Sequence, residues 1–169
     1  MDIQLYAIHV MPFVIIVYAI FVLFVRPPKP VLLGALAGGL VMALINALID
    51  LLAYYASWWH YIASGLIAHL PLPFYLTPML IYGALVYMLI WRFSQGTQQS
   101  RRWLAWILLI GVPLIGFGRD LLTVVTNSGY LVWDNALAGP IDFVLWIGMF
   151  FAGYAVFKFT MQRSQPAPV

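Results

Sequence analysis

The charged residues of this chain are sorted around its hydrophobic segments in a way that few folds allow. Of the eight basic residues, all but Arg119 fall in the first connection, the third connection or near the C-terminus, namely Arg26, Lys29, Arg92, Arg101, Arg102, Lys158 and Arg163. All five acidic residues are aspartates and fall toward the other side, namely Asp2, Asp50, Asp120, Asp134 and Asp142. Because Lys and Arg in short loops set the orientation of helices in a bilayer, this pattern indicates a polytopic membrane protein.

Five apolar segments are long enough to cross a bilayer, since a spanning helix needs about 20 mostly apolar residues. They run over residues 3–25, 31–55, 75–93, 103–122 and 140–161. With 64% hydrophobic and 8% charged residues, the chain lies outside the composition of soluble domains, in which about a quarter of residues are charged. We therefore predict an all-α integral membrane protein, a five-transmembrane-helix bundle forming one domain over residues 1–162. Residues 163–169 are expected to form a short cytoplasmic tail.

Placing the basic loops inside predicts an outside N-terminus and a cytoplasmic C-terminus, in a bacterial inner membrane. The first segment lacks a basic n-region and a cleavage site, so we expect it to remain as a span. Two connections, 56–74 and 123–139, are long and aromatic, and we expect them to fold back at the outer interface. Gly34 and Gly38 form a GxxxG motif, which predicts close helix packing. The basic residues follow one membrane face, which does not suggest a nucleic-acid partner.

Asn46, Asp50 and Tyr54 are spaced one turn apart on the second segment and are expected to share a face. A carboxyl group near the end of a span is costly unless it is paired, protonated or wetted. Asp50 could therefore hold a proton for chemistry, lie among headgroups, or pair with Arg119 for structural reasons. Arg119 itself could pair with Asp50, Asp120 or Asp142, or bind an anionic headgroup or pyrophosphate through its planar fork.

The remaining polar candidates lie in or beside the aromatic connections. Trp59, His60 and Tyr61 could belong to an interfacial aromatic belt, or His60 could shuttle protons. Trp133 completes the candidate ligand-binding set, and Asp142 is expected to cap the N-terminus of the fifth helix. The chain has no cysteine and no HExxH motif, so we expect no metal site, and no feature suggests a cofactor.

One order of features runs through residues 46–146. An acidic residue in an early span, Asp50, is followed by a Trp-x-Tyr pair (Trp59 and Tyr61) and by a Pro-rich stretch (Pro71–Pro78). Three further motifs come later: Arg-Asp (Arg119 and Asp120), Gly-Tyr-x-x-Trp (Gly129, Tyr130 and Trp133) and Pro-x-Asp-Phe (Pro140, Asp142 and Phe143). This order is similar in outline to small membrane-embedded carotenoid and terpene cyclase or hydratase families. The resemblance implies that Asp50 is a general acid that protonates an isoprenoid double bond, with Asp120 or Asp142 as a second acid or base. The paired glutamates of lycopene cyclases are absent, because this chain has no glutamate.

Two functions follow from these patterns. The first is a membrane protein that handles a lipid or isoprenoid at an outer-leaflet polar site, as a binding protein or as an acid-initiated cyclase, hydratase or isomerase. The second is a non-catalytic accessory subunit of a larger membrane complex, in which the aromatic connections would contact other membrane subunits or a second copy of the chain.

Overall fold

Five long helical segments form the protein, and the computed structural model describes residues 3–95, 99–127 and 130–163. The α-helices are α1 (Ile3–Val25), α2 (Lys29–Tyr55), α3 (Val86–Ser94), α4 (Gln99–Val125) and α5 (Ala138–Arg163). The third segment, Leu72–Ser94, starts with a 3-10 turn (Leu72–Tyr75) and a π-helical stretch (Pro78–Leu85) that runs directly into α3. All five segments are long and apolar enough to cross a membrane. The prediction of a five-helix bundle is confirmed, although four segments begin slightly earlier than expected.

Helix α2 lies at the centre of the bundle because its small residues let other backbones approach. It packs most extensively against α5 and against the π-helical stretch. A Cβ atom on Gly38 would overlap the carbonyl oxygen of Gly153, and one on Gly39 would overlap that of Met79. At Gly34 the corresponding contact with the Phe157 carbonyl oxygen is 3.2 Å. The GxxxG motif therefore has the close-packing role that the sequence predicts.

The two aromatic connections pair with each other, which the sequence did not predict. Strand β1 (Trp59–Tyr61) runs antiparallel to β2 (Leu131–Trp133), with Trp59 opposite Trp133 and Tyr61 opposite Leu131. Backbone hydrogen bonds extend the pairing on both sides, from Ile62 to Tyr130 and from Asp134 to Trp58. Strands of three residues rich in tryptophan and tyrosine look the same in sequence as an interfacial belt. The small sheet joins the end of α2 to the start of α5, on the side of the molecule that holds Asp50.

Candidate functional site

Asp50 lies in a cage of three hydrogen-bond donors. Its side chain is buried, with 4% of its surface exposed. Trp59 Nε1 donates to Oδ1 over 2.9 Å, and the hydroxyls of Tyr61 and Tyr75 donate to Oδ2 over 2.9 Å and 2.8 Å. The three donors come from β1 and from the 3-10 turn that opens the third segment. Asp50 thus ties α2, the sheet and the third segment together.

The extended conformation of β1 explains which of its residues reach Asp50. Side chains alternate between the two faces of a strand, so Trp59 and Tyr61 point the same way and His60 points the other way. His60 Nδ1 lies 2.9 Å from both carboxylate oxygens of Asp134, at the exposed surface. Burial raises the pKa of the Tyr61 hydroxyl well above its ordinary value, and the Asp50 charge raises it further. The structure therefore places the His60 ring beside Asp134 and not beside Asp50, and a role of His60 as a proton shuttle stays a prediction.

A second buried carboxyl group, Asp120, holds the guanidinium group of Arg119. Arg119 Nε and Nη2 both donate to Asp120 Oδ1, over 3.0 Å and 2.8 Å, and Trp146 Nε1 donates to Oδ2 over 2.8 Å. The guanidinium carbon also lies 5.5 Å from the ring centre of Trp146 and 5.8 Å from that of Tyr82. Of the partners predicted for Arg119, the structure places it on Asp120.

Arg119 and the Asp50 cage meet at a small cavity of about 90 Å³. Its lining is mostly aromatic and comes from four of the helical segments and the sheet region: Tyr6, Asn46, Tyr61, Phe74, Tyr75, Pro78, Arg119 and Tyr130. The Phe74 ring packs against two other lining residues, with its ring centre 4.3 Å from that of Tyr6 and 5.5 Å from that of Tyr130. We call this cavity the Arg119 pocket. It brings together Asn46, Tyr61 and Arg119 of the predicted binding residues, with Asp50 directly behind its tyrosines.

Other predicted site residues lie outside the Arg119 pocket. Tyr54 is half-exposed and stacks on His69, with ring centres 3.7 Å apart. Trp133 stacks near Phe117 and packs over Gly139. Its buried Nε1 has no hydrogen-bond partner among the described residues. Trp59, although it contacts Asp50, does not line the pocket.

Asp142 is buried inside the bundle and does not cap α5. Helix α5 begins at Ala138, two residues earlier than the sequence suggested, and its first turn holds no acidic residue. The prediction of an N-terminal capping role is therefore wrong. Within the described residues, Asp142 Oδ2 has no hydrogen-bond partner, and 5% of the side-chain surface is exposed. Asp142 precedes Trp146 by one helical turn, so both lie on the inward face of α5.

Sequence reasoning missed several residues that build the site. Tyr6, Phe74, Tyr75 and Tyr130 line the pocket, and Trp146 orients Asp120. The Trp-x-Tyr spacing of Trp59 and Tyr61 was an available signal, since residues two apart on a strand share a face. Nothing in the sequence indicated that Tyr75 would reach Asp50 from a distant part of the chain.

The three buried carboxyl groups, those of Asp50, Asp120 and Asp142, differ in the hydrogen bonds that they accept. Asp50 accepts hydrogen bonds from Trp59, Tyr61 and Tyr75, and Asp120 accepts them from Arg119 and Trp146. Asp142 Oδ2 has no such donor among the described residues. In residues 3–95, 99–127 and 130–163, no three His or Asp side chains converge as metal ligands. Gly129, part of the motif order noted above, lies outside the described residues.

Comparisons with known proteins give no family for this chain: no family model, no curated protein and no solved structure matches it.

Proposed function

We propose that this chain is an integral protein of a bacterial inner membrane that binds the polar end of a lipid or isoprenoid in the Arg119 pocket. The N-terminus and the pocket face the outer side, and the basic connections face the cytoplasm, as the distribution of Lys and Arg favours. The observation that carries the proposal is the fixed guanidinium group of Arg119 at the wall of an aromatic pocket.

Arg119 is oriented for a ligand. Its Nε and Nη2 atoms are occupied by Asp120, whereas its Nη1 makes no hydrogen bond within the described residues. The side chain keeps 39% of its surface exposed although its partner Asp120 is buried. A guanidinium group held in this way can donate to a phosphate, carboxylate or hydroxyl oxygen without losing further side-chain entropy.

The size of the pocket limits what it can hold. A volume of about 90 Å³ is well below the roughly 300–1,000 Å³ of sites that enclose a whole small molecule. It suits a headgroup or terminal group, whose hydrocarbon chain would then lie outside the pocket in the membrane. This favours binding of a polar end over enclosure of a folding polyene. Acid-initiated chemistry on an isoprenoid, as the resemblance implies, stays a prediction.

The proposal is tested by analysing the lipids that copurify with the protein after mild detergent extraction. We expect one lipid or isoprenoid species near one per chain in the wild type and its loss in Arg119→Gln. Arg92→Gln is the matched control, because it removes one exposed positive charge at the other end of the bundle. Equal lipid content in the two variants would overturn the proposal. Stoichiometric protein partners with no bound lipid would instead support the accessory-subunit function.

A further inference from the structure

A second candidate site lies at the opposite end of the bundle, where the basic connections meet. An open hollow of about 490 Å³ lies between the start of α2, the end of α3 and the end of α5, with Pro28, Trp91 and Lys158 in its lining. A neighbouring hollow of about 400 Å³ lies between α3 and α4 and includes Arg102. Ser94 and Tyr154 line both hollows, so the two form one continuous groove, which we call the basic groove.

The basic groove carries positive charge, and no aspartate is among the described residues that line it. Lys158 and Arg102 are both exposed. The charged lining residues are Lys158 and Arg102. The five aspartates of the chain are at positions 2, 50, 120, 134 and 142, so none falls within residues 91–102 or 154–163. Fixed cations without local counter-charges attract anions, and basic pockets between membrane helices bind phosphate-bearing headgroups.

The groove continues onto an apolar surface. Arg102 and Trp106 also line a third hollow of about 510 Å³ on the face of α4, together with Trp103 and Ile110. Trp103, Trp106 and Ile110 are 61%, 58% and 58% exposed. Residues spaced three or four apart lie on one face of a helix, so they form a continuous stripe beside the basic groove. A hydrocarbon chain can lie along that stripe while its headgroup remains at Arg102 and Lys158.

We infer that the basic groove binds an anionic phospholipid, with its phosphate between Lys158 and Arg102 and an acyl chain along Trp103, Trp106 and Ile110. Free phosphate would use the two cations alone, whereas a phospholipid also uses the apolar stripe that continues from them. The site is separate from the Arg119 pocket and does not depend on the function proposed for that pocket. Tryptophan and tyrosine around the groove suit the headgroup depth of a bilayer.

The test is native mass spectrometry of the full chain in micelles that contain equal amounts of phosphatidylglycerol and phosphatidylcholine. We expect the wild type to retain phosphatidylglycerol in preference to phosphatidylcholine. Lys158→Gln and Arg102→Gln should each weaken phosphatidylglycerol binding about fivefold, and the double variant roughly thirtyfold. Lys158→Arg should preserve binding because it keeps the charge.

Arg92→Gln is the matched control, because Arg92 is exposed on the same side but lines none of the three hollows. It should change phosphatidylglycerol binding less than twofold. An equal loss in Arg92→Gln would show a general effect of surface charge and overturn the inference. Displacement of the lipid by millimolar inorganic phosphate would also overturn it, since the site would then recognise phosphate without the acyl chain.

Discussion

Trp59 Nε1 donates a hydrogen bond to Asp50 Oδ1 over 2.9 Å, and together with the Tyr61 hydroxyl it connects the small sheet to the buried end of α2. A charged carboxylate in an apolar bundle is stable only where donors surround it. Among the described residues, the hydrogen-bond donors to Asp50 are one indole and two phenols, and none of them is a cation. The same arrangement positions Tyr61 and Tyr75 as walls of the Arg119 pocket, so the structural role of Asp50 and the shape of the candidate site are linked.

We predict that Asp50→Asn destabilises the protein. The amide has one acceptor oxygen and a donating NH2 group, so at least one of the three donors would lose its partner. A buried donor without an acceptor costs about 1–3 kcal/mol, and the free energy of unfolding should fall by at least that amount. Unfolding in detergent titrated with SDS measures it, with Asp134→Asn at the exposed surface as the control. A variant that folds like the wild type but loses activity would instead identify Asp50 as a catalytic acid.

Tyr61→Phe and Tyr75→Phe each remove one of the two donors to Asp50 Oδ2. Each single change should lower the free energy of unfolding by about 1 kcal/mol, because the second hydroxyl still satisfies the oxygen. The double variant should lose more than the sum, since residues that share a partner are not independent. Simple additivity in this double-mutant cycle would contradict the cage around Asp50.

The stability of the protein should fall in alkaline solution partly through Tyr61. Its pKa in the folded state lies well above the ordinary tyrosine value of 10.0, chiefly because the hydroxyl is buried. Below pH 10 the hydroxyl is neutral in both states, so its contribution is complete there. Above that value the unfolded chain loses the proton first, and stability decreases as the pH rises. Tyr61→Phe should reduce this alkaline slope, whereas Tyr55→Phe, at a 72% exposed position, should not.

Gly38→Ala should prevent normal packing of the bundle. The added Cβ would overlap the backbone carbonyl of Gly153, which cannot move without shifting α5 against α2. Gly111→Ala is the matched control, because a Cβ there meets nothing within 4 Å. We expect a severe loss of folded protein for Gly38→Ala and little change for Gly111→Ala, measured by size-exclusion chromatography after extraction. Equal yields would show that α2 and α5 are less closely packed than described.

Trp146→Phe should loosen the position of the Arg119 guanidinium group, because Trp146 holds the Asp120 carboxylate to which Arg119 donates. The change removes the hydrogen bond to Asp120 Oδ2 but keeps an aromatic ring beside the guanidinium group. We expect the free energy of unfolding to fall by about 1–3 kcal/mol, the cost for a buried acceptor that loses a charged hydrogen bond. Circular dichroism during SDS titration measures the change, and Trp103→Phe at an exposed position is the control. Equal stability of the two variants would contradict the support of Asp120 by Trp146.

The helices were predictable because a bilayer-spanning segment needs only length and apolar composition, which a single window of sequence contains. The close packing at Gly34 and Gly38 was predictable for the same reason, because the GxxxG motif spans only five residues. The partners of Asp50 were not, because Tyr75 is 25 residues away and reaches Asp50 through the 3-10 turn. The contact between His60 and Asp134 was not predictable either, because it depends on which way strand alternation turns the ring. Asp142 was misjudged because α5 starts earlier than its proline suggested.

The most direct test of the account is photocrosslinking from the wall of the Arg119 pocket in the native membrane. A photoreactive benzoylphenylalanine replaces Tyr130, and the control places the same residue at Tyr55, which is 72% exposed. We expect position 130 to form an adduct with one lipid or isoprenoid species, and that adduct to disappear when Arg119→Gln is added. Position 55 should form a mixture of bulk lipid adducts. The same mixture at both positions, or an adduct with another protein at position 130, would contradict a lipid-binding role for the Arg119 pocket.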